Sequence, residues 1–197
     1  MKVDDERLGV KLRRIAEIQR KLSERIVELS VEPSRVKLVA GVDVSYRDNL
    51  ARAAAVVCEL PGCEVVAVRR VSLEVSFPYI PTFFFLRETR PVLMALRGLN
   101  FDLLLVEGHG RAHPRGYGLA SHIGLLLNVP TVGIAKAPLR GVPPQAYRKV
   151  GKAYVSVGHL IDLDSAVKIV EPLLEGGYPR PLRLADRLSK REAYEED

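Results

Sequence analysis

Three acidic residues stand where hydrophobic strands and a helix would deliver them to one point: Asp43 in KLVAGVDVSY, Glu88 in FFFLRETRP and Glu107 in FDLLLVEGHG. Asp43 interrupts the apolar run Val36, Leu38, Val39, Ala40, Val42, Val44, and Glu107 ends the run Leu103, Leu104, Leu105, Val106. A charge inside or at the end of a buried strand is costly unless a cation or hydrogen bonds compensate it. The trio suggests a carboxylate metal site. Strand-end acids that cap neighbouring helices or pair with arginine are the alternative, and the pattern alone leaves both open.

The elements that must carry these acids follow from periodicity. From Asp4 to Leu29, Leu8, Leu12, Ile15, Ile18, Leu22, Ile26 and Leu29 recur at helical spacing, predicting a long amphipathic helix packed on a sheet. Strands over about 36–45, 51–60 and 64–75 follow, the last two joined by the Pro61-Gly62 turn, and read as three consecutive antiparallel strands. The two prolines of Ser76-Phe77-Pro78-Tyr79-Ile80-Pro81-Thr82 exclude a central strand and a helix, leaving a rigid extended loop with Tyr79 and Ile80 held out. A helix over about 83–98 tolerates Pro91 only in a first turn or at a break, which places Glu88 near a helix start or kink.

Strand 101–107 then runs into GHGRAHPRGYG, a helix spans Leu119 to Leu127 and a buried strand spans Pro130 to Ala135, an alternation that indicates parallel strands. A hairpin from Arg148 to Val157 and helices over Ser165 to Leu174 and around Arg183 to Arg191 complete the chain. This order resembles that of the ribonuclease H-like α/β fold, a mixed five-stranded sheet flanked by helices. In that fold, acids on the first strand, a helix and the fourth strand converge on a pair of metal ions.

At 197 residues, 47% hydrophobic and 27% charged, the chain has the size and apolar content for one domain over 1–197 and is not disordered by composition. Its apolar runs are broken well short of the ~20 residues that span a bilayer, so no membrane association is expected. The opening MKVDDERLGV carries acids and no apolar secretory core, and a cytoplasmic protein is expected. A net charge of +6 favours a polyanionic partner, and Arg111, Arg115, Arg140, Arg148, Lys149 and Lys152 follow the strand that ends in Glu107. Cys58 and Cys63 flank a turn and read as reduced, half-buried thiols; no CxxC zinc pattern exists. GHGRAH lacks the third glycine of a dinucleotide fingerprint. His109 and His113 have a zinc-like interval, but Gly110 and Pro114 argue against the helix that would align them, and His122 and His159 read as packing or capping residues.

Several blocks in order closely resemble the endonuclease V family, which nicks nucleic acid near deaminated adenine. They are VAGVDVSY at 39–46, FPYIPTFFFLRE at 77–88, VEGHGRAHPRGYGLASHIGLLLNVPTVGIAKAPL at 106–139 and YPRPLRLADRLS at 178–189. The resemblance implies that Asp43, Glu88 and Glu107 bind Mg²⁺, with Mn²⁺ as the alternative, although Glu107 stands where the family usually has Asp. It further implies roles for Lys136 and His113 at the phosphate and for Asp186 as a further acid from the last helix. Pro78, Tyr79, Ile80 and Pro81 match the family's wedge beside a flipped base. Gly108, Gly110, Gly116 and Gly118 would let backbone approach hypoxanthine, and Arg111 and Arg115 would contact phosphates. The implied substrate is DNA containing deoxyinosine, cut at the second phosphodiester 3′ to the lesion by a monomer. Inosine-containing RNA, or lesion binding with weakened catalysis because of Glu107, are the alternatives.

Overall fold

The structure, a computed structural model, describes residues 2–191, with side chains from Leu8 onward. Its frame is a seven-stranded sheet in the order β3-β2-β1-β4-β5-β7-β6. β1 (Leu38–Arg47), β2 (Leu50–Glu59) and β3 (Glu64–Glu74) form the expected antiparallel meander, while β4 (Leu103–Glu107) and β5 (Thr131–Ala135) continue it in parallel with β1. The five strands of the anticipated order are therefore present. The hairpin of β6 (Arg148–Val150) and β7 (Ala153–His159) extends them to seven, because β7 pairs antiparallel along β5.

Strand alternation divides the core between the two faces of the sheet. Val39, Leu103 and Leu105 pack with Ala166 and Ile169 of α4 (Leu163–Val170) and Leu182 and Ala185 of α5 (Arg180–Lys190). On the other face Ala40, Val42, Leu104 and Val106 pack with Val92 and Ala95 of α2 (Phe85–Leu96) and Ala120 and Ile123 of α3 (Leu119–Leu127). β4 is covered on both sides, which explains its unbroken apolar run.

The first helix and Pro91 also depart from expectation. α1 (Lys2–Ser23) stops well before Leu29, because the chain beyond it bonds instead to the loop after β7: Leu160 N donates to Val27 O and Asp162 N to Leu29 O. Leu29 is consequently exposed; within the helix Ile18 is exposed too, and the most buried of the described α1 side chains is the polar Gln19. Pro91 lies inside α2, at neither its first turn nor a break. Pro91 has no N–H to offer the Arg87 carbonyl one turn back, and the Tyr46 hydroxyl donates to that oxygen at 3.4 Å.

Both cysteines are buried rather than half-buried, and both are free thiols. Among the described residues, no helix is long and apolar enough to cross a membrane.

Candidate active site

The carboxyl ends of the parallel strands β1, β4 and β5 open on one side of the sheet, the place where open α/β sheets bind ligands. Val42 pairs with Val106, so the residues that follow, Asp43 and Glu107, lie side by side on neighbouring strands. By strand parity both face α5. Gly41 lets that helix approach, since a Cβ there would lie 2.6 Å from the Pro181 carbonyl carbon. The close crossing brings Asp186 and Ser189 to the same end of the sheet. Lys136 leaves the end of β5 with its side chain 3.8 Å from both Glu107 and Asp186. Glu88 comes from the other direction, in the first turn of α2. Asp43, Glu88, Glu107 and Lys136 all line one cavity of about 330 Å³, walled also by Tyr79, His113, Gly108 and Gly118.

The electrostatics of this cavity are set by burial. Glu88 is 2% exposed, and desolvation pushes its carboxyl up to about 8, against the opposing influence of the neighbouring Tyr46 hydroxyl. Glu88 Oε1 is buried without any hydrogen-bond partner. Desolvation likewise lifts Glu107 to about 7, and it raises Asp43 with help from the negative charge of Asp186. Three acids so poorly hydrated and so near one another favour either protons or a cation. Hydroxyls support two of them from outside: Ser189 donates to Asp43 Oδ2 at 3.3 Å, and Tyr178 reaches both Glu107 oxygens at 2.9 and 2.8 Å. The Tyr46 hydroxyl stands beside Glu88 but gives its proton to Arg87 O. Among the described residues no three His, Cys, Asp or Glu side chains form a ready-made ligand cage. Mg²⁺ does not need one, since it is commonly held by one or two carboxylates together with water and substrate phosphate. The orphaned Glu88 oxygen and the desolvated Asp43 fit that donor chemistry.

Other predicted residues have different surroundings. His113 is buried, and its two nitrogens are engaged by the protein: Nδ1 accepts from Arg115 N at 3.2 Å, which leaves Nε2 to donate to Thr82 O at 3.0 Å. Desolvation holds it down to about 4, so it is neutral at physiological pH. The Arg115 guanidinium points inward too, donating to Gln19 Oε1 at 2.7 Å and to Thr82, rather than lying open on the surface. Arg111 is paired with Glu28 at 3.3 Å. In the proline loop, Tyr79 is 64% exposed and Pro78 and Pro81 are exposed, while Ile80 is half-buried. Gly110 packs away from the cavity, where a Cβ would meet Val157 O at 1.9 Å; a Cβ on Gly118 would meet His109 O at 2.2 Å, and Gly116 faces Ser23. Asp186 is held by Lys190 at 2.7 Å. His122 packs on Phe85 and bonds Tyr117, and His159 accepts from Val27 N, as their packing and capping roles anticipated.

Sequence reasoning missed Tyr46, Tyr178, Ser189, Gln19 and Thr82. The first three lie inside the recognised blocks VDVSY and YPRPLRLADRLS, but a lone tyrosine or serine carries no signal of which acid it will meet.

A meander, a parallel extension and acids gathered at the carboxyl ends of the strands define a ribonuclease H-like nuclease. Similarity to known proteins narrows the class. The family model for endonuclease V matches residues 20–153 and 141–187. An endonuclease V of Thermococcus kodakarensis is 66% identical over 178 residues, covering 90% of each chain, and one of Pyrococcus abyssi is 61% identical over 186 residues, covering 94% of this chain and 95% of its own. The crystal structure of Ciona intestinalis endonuclease V, in complex with a 24mer DNA containing an inosine followed by a ribo-adenosine, superposes with a TM-score of 0.81 at 25% identity, covering 91% of this chain and 96% of that one. The chain belongs to the endonuclease V family and is a nuclease acting on phosphodiester bonds.

Proposed function

We propose that this protein is a metal-dependent repair endonuclease that recognises deoxyinosine in DNA and hydrolyses the second phosphodiester 3′ to the lesion, leaving a 3′-hydroxyl and a 5′-phosphate. The observation that carries the reading is the joining of two features in one cavity: the desolvated acids Asp43, Glu88 and Glu107 at its floor and the exposed Tyr79 of the proline loop on its wall. The inosine-containing DNA bound by the Ciona relative supports the choice of substrate.

Asp43 and Glu88 would hold Mg²⁺ or Mn²⁺, with Glu107 contributing as the third acid. A bound divalent ion supplies a nucleophilic water and stabilises the leaving oxygen. Lys136, with its ammonium at the cavity's edge, offsets charge on the scissile phosphate. Asp186 keeps that ammonium oriented through their 3.8 Å contact. Tyr79, flanked by Pro78 and Pro81, is shaped to stand beside a flipped base and replace part of its stacking. Gly108 and Gly118, both on the cavity wall, leave room for the base edge. His113 and Arg115 act by holding the loop that carries Tyr79, and the exposed Arg140, Arg148 and Lys149 offer charge to the phosphate backbone.

A second substrate is favoured by a specific observation: the DNA in the Ciona complex carries a ribonucleotide directly after its inosine. Paired duplexes with deoxyadenosine or adenosine at that position decide between the two. The primary test is nicking of an end-labelled deoxyinosine duplex with Mg²⁺ or Mn²⁺ against an undamaged duplex. Metal-dependent cutting one nucleotide beyond the lesion's own 3′ linkage is expected. Asp43→Ala should abolish it while preserving inosine-selective binding; nicking by that variant at near the parent rate overturns the site.

A further inference from the structure

We propose that Tyr178 is the positioning residue for Glu107, fixing where this longer acid presents a free oxygen to a divalent cation. The inference rests on the metal reading above.

The geometry is specific. The Tyr178 hydroxyl lies 2.9 Å from Glu107 Oε1 and 2.8 Å from Oε2, so one donor is shared by both oxygens. A phenol has a single proton to give. One oxygen can therefore turn to an ion while the other keeps the hydrogen bond, the arrangement by which outer partners orient metal-binding carboxylates. The backbone that carries the tyrosine is itself anchored. Tyr178 belongs to β9 (Tyr178–Pro179), paired with β8 (Leu174–Glu175) immediately before α5. The preceding Gly177 carbonyl accepts from Lys152 N at 2.8 Å.

Chain length makes the partnership selective. Glu has one more side-chain torsion than Asp and needs a tether to occupy one position. An aspartate in its place would withdraw the carboxylate by about 1.5 Å, one carbon–carbon bond. A hydrogen bond of 2.8 to 2.9 Å would then be stretched beyond useful length. Tyr178 should thus matter to Glu107 and be indifferent to the shorter acid.

The experiment is calorimetric titration of Mn²⁺ into the protein without nucleic acid, for the parent, Tyr178→Phe, Glu107→Asp and the double variant, with circular dichroism confirming each fold. Tyr178→Phe should weaken Mn²⁺ binding by about tenfold or more. In the Glu107→Asp background the same change should alter it by less than about twofold, the scatter of uncoupled sites. Equal losses in both backgrounds, or no loss in the parent background, overturn the proposal. Tyr178→Met, which also lacks the hydroxyl, gives an independent reading; if only one of the two substitutions weakens binding, the effect belongs to packing and the proposal falls. Absence of Mn²⁺ binding by the folded parent instead overturns the metal reading, and this inference with it.

Discussion

Arg115 clamps Thr82: its guanidinium donates to the Thr82 carbonyl oxygen and, at 2.8 Å, to the Thr82 hydroxyl. The contact joins the glycine-rich loop after β4 to the base of the proline loop. Arg115 also bonds Gln19 of α1 and stacks 4.3 Å from the centre of the Phe83 ring, while Arg87 donates to Phe77 O at 2.6 Å. The loop is therefore gripped at Phe77 and at Thr82, with the tip between them free to meet a ligand.

Replacing Arg115 by Lys should keep the charge and lose the fork that reaches several acceptors. Nicking should fall roughly tenfold to a hundredfold, the scale of an ångström-sized misplacement. His113→Asn should act through the same Thr82 carbonyl, so the double variant should be little worse than the weaker single one. Fully multiplicative losses in nicking rates would show that His113 works at the phosphate independently of the loop.

Stability should depend on pH through the buried glutamates. Glu88 is lifted from 4.5 to about 8 and Glu107 from 4.5 to about 7 by desolvation, so between these values the folded chain binds more protons than the unfolded one. Stability then falls as pH rises. Thermal unfolding of the metal-free protein should show a lower midpoint at about pH 8.5 than at about pH 5, with Glu88→Gln flattening the difference. Mn²⁺ should raise the midpoint more at the higher pH, because it no longer competes with protons. An unchanged slope in Glu88→Gln would mean that Glu88 is hydrated in solution.

Much of this site was legible because its signals are local. Asp43 and Glu107 interrupt or end apolar runs, and strand parity then puts them side by side. Pro78 and Pro81 forbid regular structure, and so the exposed Tyr79 was readable. What stayed hidden depends on contacts between distant segments. Gln19 meets Arg115 across 96 residues and Tyr178 meets Glu107 across 71, and no spacing rule connects either pair. The early end of α1 has the same origin, since its periodicity continues to Leu29 while the backbone finds better partners in the loop after β7. Arg115 reads as a surface cation in sequence because exposure is decided by Thr82 and Phe83, residues of another loop.

The glycines illustrate a related limit of local reading. Gly110 reads as room for a base, yet a Cβ there would stand 1.9 Å from Val157 O, at the crossing of the loop and β7. Gly110→Ala should cost more than about 4 kcal/mol or prevent folding. Gly98→Ala, at φ +78° in open space, should cost only about 1 to 2 kcal/mol of backbone strain. Urea unfolding of the two variants compares them directly; similar losses would show that the loop can yield at Gly110.

Tyr79 separates binding from folding most cleanly. It is 64% exposed and meets Phe84 edge-on at 5.9 Å, so little of the core depends on it. Tyr79→Ala should change the unfolding free energy by no more than about 0.5 kcal/mol. Nicking of deoxyinosine DNA should nevertheless fall about tenfold or more, because stacking an aromatic ring on a base contributes roughly 1 to 3 kcal/mol. Tyr79→Trp should retain most of the activity, since stacking requires a flat ring and no hydroxyl. If Tyr79→Ala nicks at the parent rate, the proline loop does not enter the duplex, and base selection must rest on the cavity behind it, where Gly108 and Gly118 line the wall.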